Sequence, residues 1–229
     1  MSDIIDRAVP SNGLYIAGFA DLSSCIPAKF RATPFALSIG RKLDDGIIDG
    51  IIRGPTREYF DHYHAVNREL ADTARNAAAL IESEGARALI IEPTLGEEQI
   101  DEELRRALRY EFSHKMAATR AGLGWIGKTD LFVSEKFGPR LRLATVLTDR
   151  LPAKAGIPVD ESRCGDCVLC VESCPADAAN GKSWKAGVDR DEFFNAHRCR
   201  DYCRKVSKNR LDEDISLCGL CVAVCPVGR

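Results

Sequence analysis

The chain has 229 residues, of which 45% are hydrophobic and 29% charged, the proportions of an ordinary globular protein. A net charge of −2 and a pI of about 6.1 exclude a protein that holds nucleic acid or an anionic membrane by global charge. No apolar run reaches the length of a membrane-spanning helix, and the opening MSDIIDRAVP lacks the basic start and apolar centre of a secretory signal. A cytoplasmic protein without a membrane partner is expected.

In chain order, Leu14 to Phe19 and Phe35 to Ile39 are short apolar runs bounded by turn residues, and both read as strands. Residues 43–53 carry Ile pairs at helical spacing, interrupted by two glycines. A long helix follows from the Thr56 N-cap to Glu84, with Gly85 in the position that ends it. Along it Tyr59, Tyr63, Val66, Leu70, Ala74, Ala77 and Ile81 recur at threes and fours, giving one apolar face. Its first turns are rich in Tyr, His and Arg. They read equally as a solvated helix start with aromatic staples, or as contacts to a large polar ligand through Arg57, Tyr59, Tyr63, His64 and Asn67.

Ala88 to Glu92 reads as a buried strand, and residues 97–118 as a further helix with Ile100, Leu104, Leu108 and Phe112 spaced by four. Next comes Gly122-Leu-Gly-Trp-Ile-Gly127-Lys128, whose glycines bring backbone close to something. Its spacing is that of neither a phosphate loop nor a dinucleotide fingerprint, so nucleotide binding is not indicated. Leu131 to Ser134 and Arg140 to Leu147 read as strands joined by a turn at Lys136–Pro139. In the second, Arg140 and Arg142 alternate with Leu141 and Leu143, the pattern of a strand half exposed at its start.

Of the 10 cysteines only Cys25 precedes residue 164. It sits in a loop-like setting and reads as a packed or tolerated thiol. The shift in composition, after the linker-like LPAKAGIPVD, divides the chain into an α/β domain over 1–155 and a small cysteine domain over 156–229. Cys164, Cys167, Cys170 and Cys174-Pro175 form the C-x2-C-x2-C-x3-C-P run of two-cluster bacterial ferredoxins. Cys218, Cys221 and Cys225-Pro226 repeat it without the first cysteine, which Cys199 or Cys203 can supply. In such pairs the cysteine before proline ligates the other cluster. One [4Fe-4S] cluster then takes Cys164, Cys167, Cys170 and Cys225, and the second takes Cys174, Cys218 and Cys221 with Cys199 or Cys203. Two structural zinc sites also use four thiolates, but zinc requires neither the proline nor the crossed pairing. A disulfide framework fits this tight spacing less well.

Together, GLGWIGK (122–128), FGPRLRLATVLTD (137–149) and the cysteine arrangement resemble the epoxyqueuosine reductases and the cytoplasmic relatives of the corrinoid-dependent reductive dehalogenases. GPTREYFDHYHAVN (54–67) and SHKMAATRAGLGWIGK (113–128) resemble a shorter branch of that superfamily, described by its double 4Fe-4S cluster domain. The resemblance implies a nitroreductase-like α/β (α+β) domain, a ferredoxin-like domain with two [4Fe-4S] clusters, and a cobalamin near the first cluster. Nitroreductase-like domains also commonly hold flavin, which stands as the alternative cofactor. Arg198-Cys199 matches the family's intervening cysteine, so the resemblance makes Cys199 the remaining ligand of the second cluster.

The cofactor contacts it implies are Arg57, Tyr59, Tyr63, His64, Asn67, His114, Gly122, Leu123, Gly124, Trp125, Gly127 and Lys128. Candidate proton sources are Tyr63, Glu111, His114 and Lys115; a surface position is the plainer reading of Glu111, and a helix surface or a hydrogen bond to a loop carbonyl that of His114 and Lys115. Two departures from epoxyqueuosine reductase stand out. The sequence stops at Arg229 just after the last Cys-Pro, where that family continues into a helical-repeat region that helps hold tRNA, and an ungapped count places Leu108 where it has its proton-donating aspartate. Both weigh against tRNA modification. The basic stretch Arg198 to Arg210 reads as screening for the cluster or as a dock for an acidic electron donor. The expected activity is a reductase fed by a low-potential donor of ferredoxin or flavodoxin type. The alternative is an electron-transfer protein that reduces a corrinoid or a corrinoid protein and has no substrate of its own.

Overall fold

The structure is a computed structural model that describes residues 2–94 and 102–229. The chain opens with helix α1 (Ser2–Ala8), then strands β1 (Tyr15–Asp21) and β2 (Phe35–Lys42), which pair antiparallel with Tyr15 opposite Arg41 and Asp21 opposite Phe35. Of the helix expected over 43–53 only α2 (Asp45–Asp49) forms, with the Asp44 side chain accepting from the Ile47 amide at 3.0 Å. The glycine at its end lets the chain leave the helix after little more than a turn.

Helix α3 (Arg57–Ser83) follows the expected bounds, because its start and stop signals are local. Thr56 Oγ1 accepts from the Tyr59 amide at 3.2 Å, and Gly85 has φ +81. Tyr59, Val66, Leu70, Ala74, Ala77 and Ile81 are all buried on one face. Full burial contributes about 1.5–3 kcal/mol for each large apolar side chain, which holds a helix of modest propensity in place.

Strand β3 (Ala88–Ile91) pairs antiparallel with β6 (Leu141–Thr148), with Leu89 opposite Leu147. In the sheet order β1-β2-β6-β3, β3 is an edge, and Leu89 is 43% exposed rather than buried as its apolar run implied. The helix expected over 97–118 is two short ones, α4 (Glu102–Ala107) and α5 (His114–Arg120), with Leu108 at φ +49 between them. Ile100 lies outside the described residues. Ser113 starts α5 by accepting from the Met116 amide at 3.2 Å, a cap that a pattern of fours passes over. The GLGWIGK stretch is not a loop throughout: β4 (Gly124–Ile126) forms a hairpin with β5 (Phe132–Ser134). The last segment carries the short helix α6 (Leu169–Glu172), then α7 (Ala196–Leu211) and α8 (Leu220–Val224).

These elements gather into two compact units that interleave along the chain rather than dividing once near residue 155. The first comprises residues 1–42, 66–123 and 142–159, and the second 43–65, 124–141 and 160–229. In the first, α5 packs against β1 and β2, closing a core that includes Ala20, Leu22, Phe30, Phe112, Ala117 and Leu147. The Phe30 and Phe112 rings meet edge to face at 5.7 Å, a preferred aromatic geometry. In the second, α8 is packed by α2 and α6.

Arg140 overturns the reading of a strand exposed at its start. Its side chain is only 1% exposed and pairs with Asp49 at 2.6 Å and Asp45 at 3.2 Å, both in the second unit. It also reaches the Ala223 carbonyl at 3.4 Å. Alternation along a strand tells sides apart, but does not tell water from a buried carboxylate partner.

Candidate metal centre

The second unit brings the cysteines together. The first run turns tightly, with the Cys167 amide donating to the Cys164 carbonyl at 3.2 Å and the Cys174 amide to the Val171 carbonyl at 3.1 Å. Helix α7 starts at Asn195, whose side chain accepts from the Arg198 amide at 3.0 Å, and this fixes the turn that carries Cys199. Ser207 on α7 donates to the Leu217 carbonyl at 2.7 Å, placing the residue before Cys218. Gly219, between Cys218 and Cys221, has φ +85, and a β-carbon there would lie 2.4 Å from Ile51 Cδ1. Only glycine meets both conditions.

Burial pushes the Cys225 thiol up, and the charges that add to this are Cys170, Cys164 and Cys167, members of the first run. Cys170 is likewise raised by burial and by Cys164 and Cys167, against a hydrogen bond from the Thr129 hydroxyl that lowers it. Cys221 is raised by burial, with Cys199, Cys218, Cys170 and Cys174 as its charged neighbours. Helix α6, which carries Cys170, packs against α8, which carries Cys221 and ends at Cys225, so the first and last cysteine runs stand side by side. Among the described residues no three His, Cys, Asp or Glu side chains close around the position of a single metal ion. The donor set itself, thiols in two ferredoxin-type runs, has the chemistry that two [4Fe-4S] clusters require.

Cys203 is buried while Cys199 is half-buried, and their sulfurs are 3.9 Å apart. Hydrogen bonds to Cys199 and Cys218 together with burial hold Cys203 as a neutral thiol. The same contact lowers Cys199, and lowers Cys218 to about 7. Of the two neighbouring thiols Cys203 is the more deeply buried, and it stands as a hydrogen-bond partner of Cys199.

The hairpin residues singled out in the sequence face these thiols. Trp125 is buried, and its indole nitrogen donates to Cys164 Sγ at 3.4 Å. Lys128 is 5% exposed, and its ammonium donates to the Gly165 carbonyl at 2.9 Å, inside the first cysteine run. A β-carbon on Gly127 would lie 3.6 Å from Cys164 Sγ, and one on Gly124 would lie 2.1 Å from the Val133 carbonyl oxygen across the hairpin. Gly122, in the first unit, meets the Ile157 backbone in the same way, and Leu123 packs against that unit's core. At Gly122 and Gly124 the close approach that the glycines implied is to the protein's own backbone.

Other candidates serve the scaffold. Arg57 pairs with Glu213 at 2.8 Å, bonds the Leu211 carbonyl and lies 4.9 Å over the Phe60 ring. Tyr59 is buried beside Gly219. His64 packs edge to face on Phe60 at 4.5 Å and on Tyr63 at 5.3 Å. In the first unit His114 Nε2 lies 2.9 Å from the Glu92 carbonyl, so it carries the proton, and Nδ1 accepts from the Thr145 hydroxyl at 2.8 Å. Burial pushes its pKa down to about 4. Glu111 is exposed and pairs with Lys29; Lys115 is half-buried on α5. Asn67 is buried, accepts from Arg142 at 3.0 Å, and leaves its Nδ2 without a partner.

The basic stretch on α7 is largely neutralised. Arg198 pairs with Asp177, Arg200 with Asp201, Arg204 with Asp214 and Lys208 with Asp212. The clustering of like charge in sequence is therefore not a clustering of unbalanced charge in space. Among the described residues no helix is long and apolar enough to cross a membrane.

Comparison with known proteins adds the family context. Residues 163–228 match the family described as the 4Fe-4S double cluster binding domain. An epoxyqueuosine reductase of Cyclobacterium marinum is 31% identical over 120 residues, covering 49% of this chain and 36% of the relative. One from Lactococcus garvieae is 35% identical over 119 residues, covering 49% and 31%. The matched stretch thus spans about a third of these curated relatives. Among solved structures, a catabolic reductive dehalogenase, NpRdhA, in complex with 3-bromo-4-hydroxybenzoic acid aligns with TM-score 0.65 at 19% identity, covering 93% of this chain and 30% of that one. An epoxyqueuosine reductase solved with a modified tRNA stem loop aligns with TM-score 0.62 at 18% identity, covering 99% and 64%. The chain therefore has a mixed α/β fold similar to those of an epoxyqueuosine reductase and a reductive dehalogenase, and its residues 163–228 belong to the 4Fe-4S double cluster binding domain family.

Proposed function

We propose that the chain is an iron–sulfur reductase that passes electrons through two [4Fe-4S] clusters to a corrinoid. The observation that carries this reading is the packing of α6, which carries Cys170, against α8, which carries Cys221 and ends at Cys225, so that the two cysteine runs lie side by side as the crossed ligation of paired clusters needs. The ligands are Cys164, Cys167, Cys170 and Cys225 for the first cluster, and Cys174, Cys199, Cys218 and Cys221 for the second. A low-potential donor of ferredoxin or flavodoxin type supplies the electrons.

The unpartnered Asn67 Nδ2 fits a corrinoid, whose rim carries amide carbonyls that accept hydrogen bonds. Tyr63 and His64, four and three residues before it on α3, would extend that contact. When bound, a reduced corrinoid supplies a strong nucleophile and one-electron donor. Tyr63 and Lys115 are the proton sources this arrangement leaves, since both nitrogens of His114 are held by protein atoms and Glu111 sits exposed beside Lys29. The nitroreductase-like ancestry of the first unit belongs to the same proposal.

Leu108, at the position of the family's proton-donating aspartate, favours a second reading. In it the chain delivers electrons to a corrinoid or corrinoid protein and has no substrate of its own. Anaerobic purification with metal analysis and an optical spectrum tests both. About eight irons per chain, with uptake of added cobalamin, support them. A bound flavin replaces the corrinoid, and zinc without iron overturns the proposal. Repeated turnover of organohalides or epoxides by the reduced protein separates the enzyme from the carrier.

A further inference from the structure

We propose that the β4–β5 hairpin orders the two clusters in potential. Trp125 and Lys128 favour an electron on the first cluster and so raise its potential above that of the second. This rests on the two-cluster reading above.

The hairpin is short and faces the first cysteine run. Trp125 Nε1 donates to Cys164 Sγ at 3.4 Å, and that sulfur belongs to the first cluster. Donors to a ligand sulfur stabilise the reduced state, which carries one more negative charge than the oxidised state.

Lys128 supplies the strongest bias. Its side chain is buried, and its Nζ donates at 2.9 Å to the Gly165 carbonyl between Cys164 and Cys167. Among the described residues no carboxylate pairs with it. A buried ammonium is costly unless an anion stands close by, and an anionic cluster held by Cys164 and Cys167 is such a counter-charge.

One hairpin thus brings a cation and a sulfur donor to one cluster, so an electron that a one-electron donor delivers to the pair settles on the first cluster.

The test is a redox titration of the anaerobically reconstituted full chain, followed by electron paramagnetic resonance, with iron counted in each sample. Cys170→Ser marks the signal of the first cluster. Trp125→Phe is expected to weaken reduction of that cluster several-fold, and Lys128→Gln about tenfold, equivalent to about 59 mV for one electron. Should Lys128→Gln not assemble clusters, Trp125→Phe carries the test. Unmoved potentials in variants with full iron would overturn the inference, as would either variant shifting the other cluster instead of the Cys170-marked one. Wild-type protein without iron would instead sink the two-cluster reading itself.

Discussion

Cys203 lies one turn beyond Cys199 on α7, its sulfur 3.9 Å away and buried behind it. Five cysteines therefore surround a site that needs four, and the two adjacent candidates differ in exposure and hydrogen bonding rather than in spacing.

Cys203→Ser is expected to leave the iron content at about eight per chain, because a hydroxyl can still donate to Cys199 and Cys218. Cys199→Ser is expected to reduce it toward four. Iron and sulfide analysis of the two variants decides between the thiols; the opposite pattern would make Cys203 the ligand.

Gly219→Ala is expected to destabilise the second unit by about 1–3 kcal/mol. The added methyl must share space with Ile51 Cδ1 and Tyr59 Cε1, at 2.4 and 2.9 Å, on a backbone held at φ +85. Thermal melting and cluster occupancy should fall together, since Cys218 and Cys221 flank the strained residue.

Replacing Arg140 with Met is expected to cost about 1–3 kcal/mol, less than a fully buried ion pair loses when broken. The partners Asp45 and Asp49 are 46% and 62% exposed, so water can take over their charges. Urea denaturation under anaerobic conditions measures the loss, and Arg140→Lys should recover part of it.

His114 makes stability depend on pH. Its folded pKa of about 4 lies below the ordinary value of 6.5 because burial disfavours the charged ring. The unfolded chain therefore binds the extra proton first. The stabilising contribution is complete above about pH 6.5 and is lost as pH falls toward 4, amounting to about 2 kcal/mol between pH 7.5 and 5. Denaturation curves at those two values should separate by this amount in the wild type and converge in His114→Gln.

Much of this was legible in the chain because its signals are local. Thr56, the apolar spacing from Tyr59 to Ile81 and Gly85 bound α3, since a helix is built from neighbours three and four apart. The cysteine runs are local in the same sense, and residues 163–228 match a double cluster domain without reference to the rest. The spacing of fours across residues 97–118 carried no mark of the break at Leu108, and its apolar positions alone do not tell one helix from two.

By itself, then, the sequence determined α3, every strand but β4 and the double-cluster character of the C-terminal segment, because caps, periodicity and thiol spacing act over a few residues. Only the tertiary structure decided that Arg140 is buried between Asp45 and Asp49, because the pairing spans some ninety residues. Only it turned Trp125 and Lys128 toward the first cysteine run, because what a hairpin faces depends on the segments packed against it.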